Sequence, residues 1–421
     1  MKRYILSFAV LALGATCFTG CLEDNPVADN PVADNPVEDN PVEDNPVDYL
    51  PPSSSIQTKG VYIINNGIFF QGIDGSLTYI NYNTATPSAQ QNVFQMVNGE
   101  SLGGSPNDVL VYGEKMYIAG FDKGVIFVLR AKDAKMLKRI ETRELLADEK
   151  GNGPYRLAAY DGKLYFCTCS HMETGCVAAI DTTDFKLQEK YPVGSCPVGM
   201  AFVADDNNNV SIYVAINKLY IGEGYISKID LATGSVSNKS HDKITNPKDI
   251  AVIGNALYVL EAGLADEEYK QTDAGLYEIN GDMATMVVPN ATGMAIAGNY
   301  IHTFNAPFDG VTSLSYSIYD TSSKSLEKMN LIGDSEHPII SPSAIAFDPL
   351  TGNIFIASRQ SVPKPTYFDD LFLDLDDFSP GFVNVYYWDG ANHAQFIETF
   401  KTGVEPHKIE FIRGESRHVY E

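Results

Sequence analysis

The chain has 421 residues, and 54 aspartates and glutamates against 30 lysines and arginines leave a formal net charge of −24. Affinity for nucleic acid comes mostly from Lys and Arg neutralising phosphates, so a chain this acidic is not built for that partner. A negative surface suits solubility and leaves small neutral ligands open, while the length exceeds one simple hydrophobic core and points to two domains or a repeat array.

The chain begins with Lys2 and Arg3, an apolar run from Tyr4 to Ala15, and small residues leading to Thr19-Gly20-Cys21. A basic start followed by an apolar stretch too short to span a bilayer reads as a secretory signal over residues 1–20. The pattern resembles that of bacterial lipoproteins, which implies acylation of Cys21 and a membrane tether without a spanning helix. An ordinary cleaved signal with an incidental cysteine is the alternative. Asp-Asn-Pro-Val then recurs five times between Asp24 and Val47, and nine acidic residues from Glu23 to Asp48 have no basic partner. Regular prolines, mutual repulsion and the lack of large apolar side chains make residues 21–59 a disordered, stiffened and solvated stalk. Glu23 and Asp24, just after the cysteine, also resemble the surface-export signal of Bacteroidota lipoproteins.

From residue 60 onward one short phrase returns seven times: an apolar strand whose second position is Tyr62, Tyr117, Tyr165, Tyr213, Tyr258, Ile301 or Phe355. The intervals are 55, 48, 48, 45, 43 and 54 residues, the period of four-stranded propeller blades rather than helical solenoids. Only Ala131 to Asp148 offers a turn or two of helix. One unit shows the strand order: Pro154 to Tyr160, a turn at Asp161-Gly162, Lys163 to Thr168, Gly175 to Asp181, and Lys186 to Val193. The proline that starts each unit recurs as Pro106, Pro197, Pro247, Pro342 and Pro406, with Ala291-Thr292-Gly293 as the departure. The first unit lacks this strand and the last has nothing else, so Pro406 to Ile412 is expected to pair with Gly60 to Asn65. The result is an all-β, seven-bladed propeller over residues 60–421, closed by pairing of its two ends in a three-plus-one blade. Two stacked β-domains are the rival architecture.

The phrases Leu164-Tyr165-Phe166, Val177-Ala178-Ala179-Ile180-Asp181-Thr182-Thr183 and Tyr191-Pro192-Val193-Gly194-Ser195-Cys196-Pro197 resemble the YVTN-type propeller repeat. The opening Gly60-Val61-Tyr62-Ile63-Ile64-Asn65-Asn66-Gly67 is similar to that of Bacteroidota surface-lipoprotein propellers. That group includes the cobalamin-capturing lipoprotein that sits on an outer-membrane corrinoid transporter. The resemblance implies a surface-exposed outer-membrane lipoprotein that captures cobalamin or another corrinoid and passes it to a TonB-dependent transporter. It carries the fold firmly and the ligand weakly, because a common fold does not fix a function.

In a propeller, the starts of the first strands and the loops between second and third strands share one face. The long connections Leu260 to Ala274 and Arg359 to Gly381 mark that face as the working one. Residues just after the prolines, Asn107, Tyr155, Lys248, Ser343 and His407, are expected to ring the central mouth. Ends of second strands add Asn65, Asn66, Phe121, Asn217, Glu261, Asn305 and Arg359. Aromatic area with amide groups suits a neutral, amide-bearing ligand better than an anion, so a corrinoid or an oligosaccharide fits. Any single Asn here serves equally well to satisfy turn backbone. Cys167, Cys169, Cys176 and Cys196 fall near one end of one blade, and export permits disulfides. One or two bridges are expected, Cys169 with Cys176 and Cys167 with Cys196 being favoured among three pairings. A Cys/His metal site using His171 lacks the usual spacing. The acidic run Asp369-Asp370, Asp374 and Asp376-Asp377 offers oxygen ligands for calcium but not the glycine of the familiar loop. No HExxH, GxSxG or phosphate-cradling pattern appears. The sequence therefore favours a binding protein without catalytic residue or cofactor. A glycan binder using Tyr155 or Tyr367 is the first alternative, and a hydrolase or lyase using His407 or Glu261 is a further one.

Overall fold

The computed structural model describes residues 56–147, 153–169, 175–205, 207–217, 223–265, 271–306, 314–362 and 378–415. The signal segment, Cys21, the stalk repeats, His171, Tyr367 and the acidic run 369–377 lie outside them, as does the side chain of Cys169. Among the described residues no helix is long and apolar enough to cross a membrane.

Seven antiparallel sheets stand around one axis. The third unit contains Gly153–Tyr160, Lys163–Cys169, Cys176–Asp181 and Leu187–Pro192, paired in that order from axis to rim. Its first hairpin turns at Asp161 (φ 48°) and Gly162 (φ 69°). Two successive left-handed residues match the twist of the strands they join.

The ring closes as its ends require. Ile56–Asn65 pairs on one side with Ser76–Asn81 and on the other with Pro406–Glu415, where Val61 faces Phe411, Ile63 faces Ile409 and Asn65 faces Pro406. The first strand begins at Ile56, ahead of Gly60, because the closing strand continues past Ile412 and offers ladder partners to Ile56, Gln57 and Thr58. The Thr58 hydroxyl also donates to Asp348 Oδ2 at 2.7 Å, tying the first blade to the seventh.

Alternation explains the recurring tyrosine. Both faces of every second strand are covered by neighbouring blades, so successive side chains enter different inter-blade cores. Tyr62 and Ile64 pack with Met116 and Phe127 of the second blade, whereas Val61 and Ile63 pack with Phe355, Val383 and Ile409 of the seventh blade and closing strand. The buried Tyr62 hydroxyl donates to Ala131 O at 2.8 Å, which satisfies its one polar atom. Rim strands such as Ser325–Lys328 are exposed throughout.

Some features differ from the sequence expectation. Helix occurs at Thr142–Leu146, inside the anticipated segment, and also at Val93–Asn98, which is too short for a period to show; Phe94 anchors it edge-on to Phe127, centroids 5.1 Å apart. Asn330–Ile332 adds a parallel fifth strand outside His393–Lys401. The sixth blade has Thr292 at the position the others give to proline, and its N–H donates to Phe304 O at 2.8 Å, a bond proline could not make. The favoured disulfide pairing is overturned: Cys167 and Cys176 are buried thiols, while Cys196 is in a disulfide whose partner lies outside the described side chains. Cys176 Sγ lies 3.4 Å from Thr168 Oγ1, and burial pushes the Cys167 thiol well above its ordinary pKa, a state that resists oxidation.

Candidate functional site

The inner strands of adjacent blades contact one another around the axis. On the side of the fifth to seventh blades and the closing strand they enclose a cavity of about 840 Å3. Its wall combines apolar side chains, including Met200, Met294, Phe304, Ile345 and Phe347, with Arg156, Lys248, Asp249, Arg359, His407 and Lys408.

A backbone irregularity delivers the polar groups. In each of the six sheets whose inner strand has a proline at its first or second position, the ladder slips immediately after it: Pro106/Asp108, Pro154/Leu157, Pro197/Gly199, Pro247/Asp249, Pro342/Ala344, and Pro406 to Lys408. The seventh, starting at Gly293, pairs without a slip. A bulge places two consecutive residues opposite one and re-aims their side chains. Lys248 and Asp249 therefore both line the cavity, as do His407 and Lys408.

Of the expected site residues, Lys248, Ser343, Arg359 and His407 meet at this cavity. Arg359 Nε donates to both Glu405 carboxylate oxygens at 2.8 and 2.6 Å, and the Ser343 hydroxyl donates to Pro406 O at 2.5 Å. Lys248 reaches into the channel solvent and donates to Thr292 O at 2.8 Å. Enclosure by the ring and the nearby guanidiniums of Arg359 and Arg156 lower its pKa to about 8, against an opposing pull from Asp249. Enclosure, together with Arg156, Lys248, Arg359 and Lys408, holds His407 neutral, its pKa down at about 3.

Asn65, Asn66, Asn107, Phe121, Tyr155, Asn217, Glu261 and Asn305 do not line it. Most of them stitch the rim of the fold. Asn65 is fully buried; its amide donates to Thr78 Oγ1 at 3.1 Å and to Ser76, and its oxygen accepts from Gly403 N at 3.0 Å. Asn217 donates to Asn246 Oδ1. Phe121 and Tyr155 meet edge to face, centroids 6.0 Å apart. Glu261, also fully buried, accepts from Asn246 N (2.7 Å) and Gly263 N (3.1 Å), yet burial outweighs those bonds and raises its pKa to about 7. Its Oε2 and the amide oxygens of Asn66 and Asn305 are buried without a hydrogen-bond partner.

Arg156, Asp249 and Lys408 were missed in the sequence, although Pro154-Tyr155-Arg156, Pro247-Lys248-Asp249 and Pro406-His407-Lys408 share a proline followed by two long or polar residues. Arg156 Nε donates to Val198 O at 2.7 Å and Nη2 lies 3.9 Å from Asp249 Oδ2. Burial disfavours its charge, but Asp249 and Asp108 more than offset this and its pKa lies above the ordinary arginine value. The cavity is lined by basic side chains that the expectation of a mouth suited to a neutral, amide-bearing ligand did not include. Among the described residues no group of three or more His, Cys, Asp or Glu could hold a metal ion.

No family model matches the chain, and no curated protein matches it. Many solved structures do. A hypothetical selenium-binding protein from Sulfolobus tokodaii is similar with a TM-score of 0.59 at 9% identity, over 84% of this chain and 93% of that one. Kuenenia stuttgartiensis hydrazine synthase gives a TM-score of 0.48 at 14% identity, over 68% of this chain and 77% of that one. At such identities the likeness establishes the propeller and nothing of its chemistry.

Proposed function

We propose that the protein is a lipid-tethered capture protein of the bacterial outer membrane, a binding protein rather than an enzyme. Its propeller takes a small ligand at the central mouth and passes it to a TonB-dependent transporter. The observation that carries the reading is the axial cavity of about 840 Å3, into which the bulged inner strands turn polar side chains beside an apolar wall. Such a concave, mostly preformed site with a few convergent polar groups is the ordinary form of a small-molecule site. The tether rests on Lys2, Arg3, the apolar run and Cys21, and the stalk would hold the ring away from the lipid.

A corrinoid is the first ligand to test, on the resemblance of Gly60 to Gly67 and of the repeats to surface-lipoprotein propellers. Calorimetric titration of the full-length protein with cyanocobalamin should give saturable heat together with a shift in the corrinoid absorption spectrum. Neither signal at micromolar concentration removes the corrinoid. Retention on immobilised polysaccharide that soluble polysaccharide displaces would transfer the reading to a glycan.

A further inference from the structure

The protein as a whole is strongly acidic, with a formal net charge of −24. Its axial cavity is not. Arg156, Lys248, Arg359 and Lys408 line it against a single lining carboxylate, Asp249. Asp249 lies 3.9 Å from Arg156, and Glu405 is taken by Arg359. Lys248 and Lys408 have no ion pair among the described residues. Lys248 uses one of its three ammonium hydrogens on Thr292 O, leaving two directed to solvent or a ligand. The inner strands of the fourth and sixth blades bring no charge, only Met200, Gly293, Met294 and their neighbours, so basic and apolar blades alternate around the channel. Clustering of four cations in an enclosed space costs stability through mutual repulsion, and the rest of the acidic molecule does not require it. An occupant with negative charge relieves that repulsion.

We infer that the axial cavity binds an amphipathic organic anion, its carboxylate or phosphate group held by the basic side chains that line the channel, Lys248 and Lys408 foremost, and its apolar body on Met294, Phe304, Ile345 and Phe347. This rests on the ligand-capture reading and not on the corrinoid. Asp249 and Glu405 fix the two guanidiniums, so the lysines supply the free positive charge. His407, held neutral by burial and by the charges of Arg156, Lys248, Arg359 and Lys408, gains a reason to protonate when an anion neutralises those charges.

The test uses three probes on the full-length protein: phenylacetate, phenyl phosphate and neutral phenylacetamide. Both anions, or whichever matches the spacing of the bases, should bind saturably and about tenfold more tightly than the amide, a difference that shrinks at high salt. Lys248→Gln should weaken the anion about tenfold and the amide little, with Lys248→Arg restoring most of the affinity. Melting temperatures of the variants separate lost binding from lost folding, and Lys408→Gln provides a second reading of the same charge. Phenyl phosphate binding with phenylacetate silent assigns a phosphate ligand; the converse assigns a carboxylate. Equal affinity for anions and amide, no anion binding at millimolar concentration, or indifference to both lysine substitutions overturns the inference. Cyanocobalamin bound without competition from either anion sinks this inference alone, whereas anions bound and cyanocobalamin refused sinks only the corrinoid.

Discussion

Closure of the ring by residues from opposite ends of the chain makes Ile409 a sensitive position. It is 4% exposed, pairs with Ile63 across the ladder, and packs with Val61, Phe355 and Val383 between the first and seventh blades. Ile409→Ala removes buried methyl groups from a seam that cannot collapse, since both flanking sheets are fixed by their other neighbours; the expected loss is about 3 kcal/mol. Ile397→Ala, on the 49% exposed outer face of the seventh blade, should change stability by under about 0.5 kcal/mol. The chain has one tryptophan, Trp388, 9% exposed in that same seventh blade on its side toward the sixth, so urea unfolding followed by its fluorescence reports the seventh blade and far-UV circular dichroism reports the whole ring. A closed ring should lose both signals together at a lower midpoint in Ile409→Ala. An unchanged midpoint, or a Trp388 transition separated from the dichroism transition in the wild type, refutes the claim that closure couples the blades.

Glu261 predicts a pH effect. Its folded pKa of about 7 lies above the ordinary 4.5, so the folded state holds the proton more tightly and stability falls as pH rises from about 4.5 to about 7, by about 3 kcal/mol for this buried group. Glu261→Gln keeps the acceptor for Asn246 and Gly263 and should remove that one contribution from the stability–pH curve, leaving those of Glu410 and Asp122, raised by burial to about 7 and about 6, and the opposing ones of His302 and His407, lowered by burial to about 3. A slope unaltered in the variant contradicts the assignment. Gly293→Ala should cost about 2 kcal/mol in the same urea assay, since its Cβ meets the buried Phe304 ring, and pairing it with Phe304→Leu should recover part of that loss. Iodoacetamide without reductant should label Cys167 and Cys176 only after unfolding, as read by peptide mass spectrometry; labelling of the folded protein, or none after unfolding, contradicts their assignment as buried thiols. Phenyl phosphate affinity should decline as pH rises through about 8, where Lys248 loses its charge beside Arg359, Arg156 and Asp249; affinity that is flat up to pH 9 argues against Lys248 as the anchor.

What the sequence showed and what it hid follow from one distinction. Blade number and closure register were legible because both depend on side chains buried on two faces: Tyr62, Tyr117 and Tyr258 are fully buried, and a strand sandwiched between blades must be apolar at every position. The second-strand asparagines and Glu261 misled because a polar residue at a strand end looks the same whether it awaits a ligand or satisfies backbone, and Asn65 and Glu261 do the latter. The disulfide pairing misled because four cysteines near one end of a blade do not reveal which side chains face each other across the inter-blade seam; Cys167 points into the core shared with Tyr165 and Val214, and Cys196 into the next one with Val198 and Ile250.

The channel residues were half legible, and the bulge is the reason. Period-two alternation lets only one of two consecutive residues face the axis, so reading Lys248 and His407 inward sends Asp249 and Lys408 away from it. The slip after each proline interrupts that rule, and at the fifth blade, the seventh blade and the closing strand both residues that follow the proline line the cavity. Proline is suited to cause it. It lacks the N–H that a regular ladder would use at that point, so the register shift strands no donor, and its fixed φ directs the chain into the first strand. In the fifth blade and the closing strand the same feature that starts the strand therefore also doubles the polar side chains at the mouth. Changes at Lys248, Asp249, His407 and Lys408 alter the ligand face without entering an inter-blade core, whereas Tyr155, Val198 and Ala344, also within two residues of their prolines, pack in one.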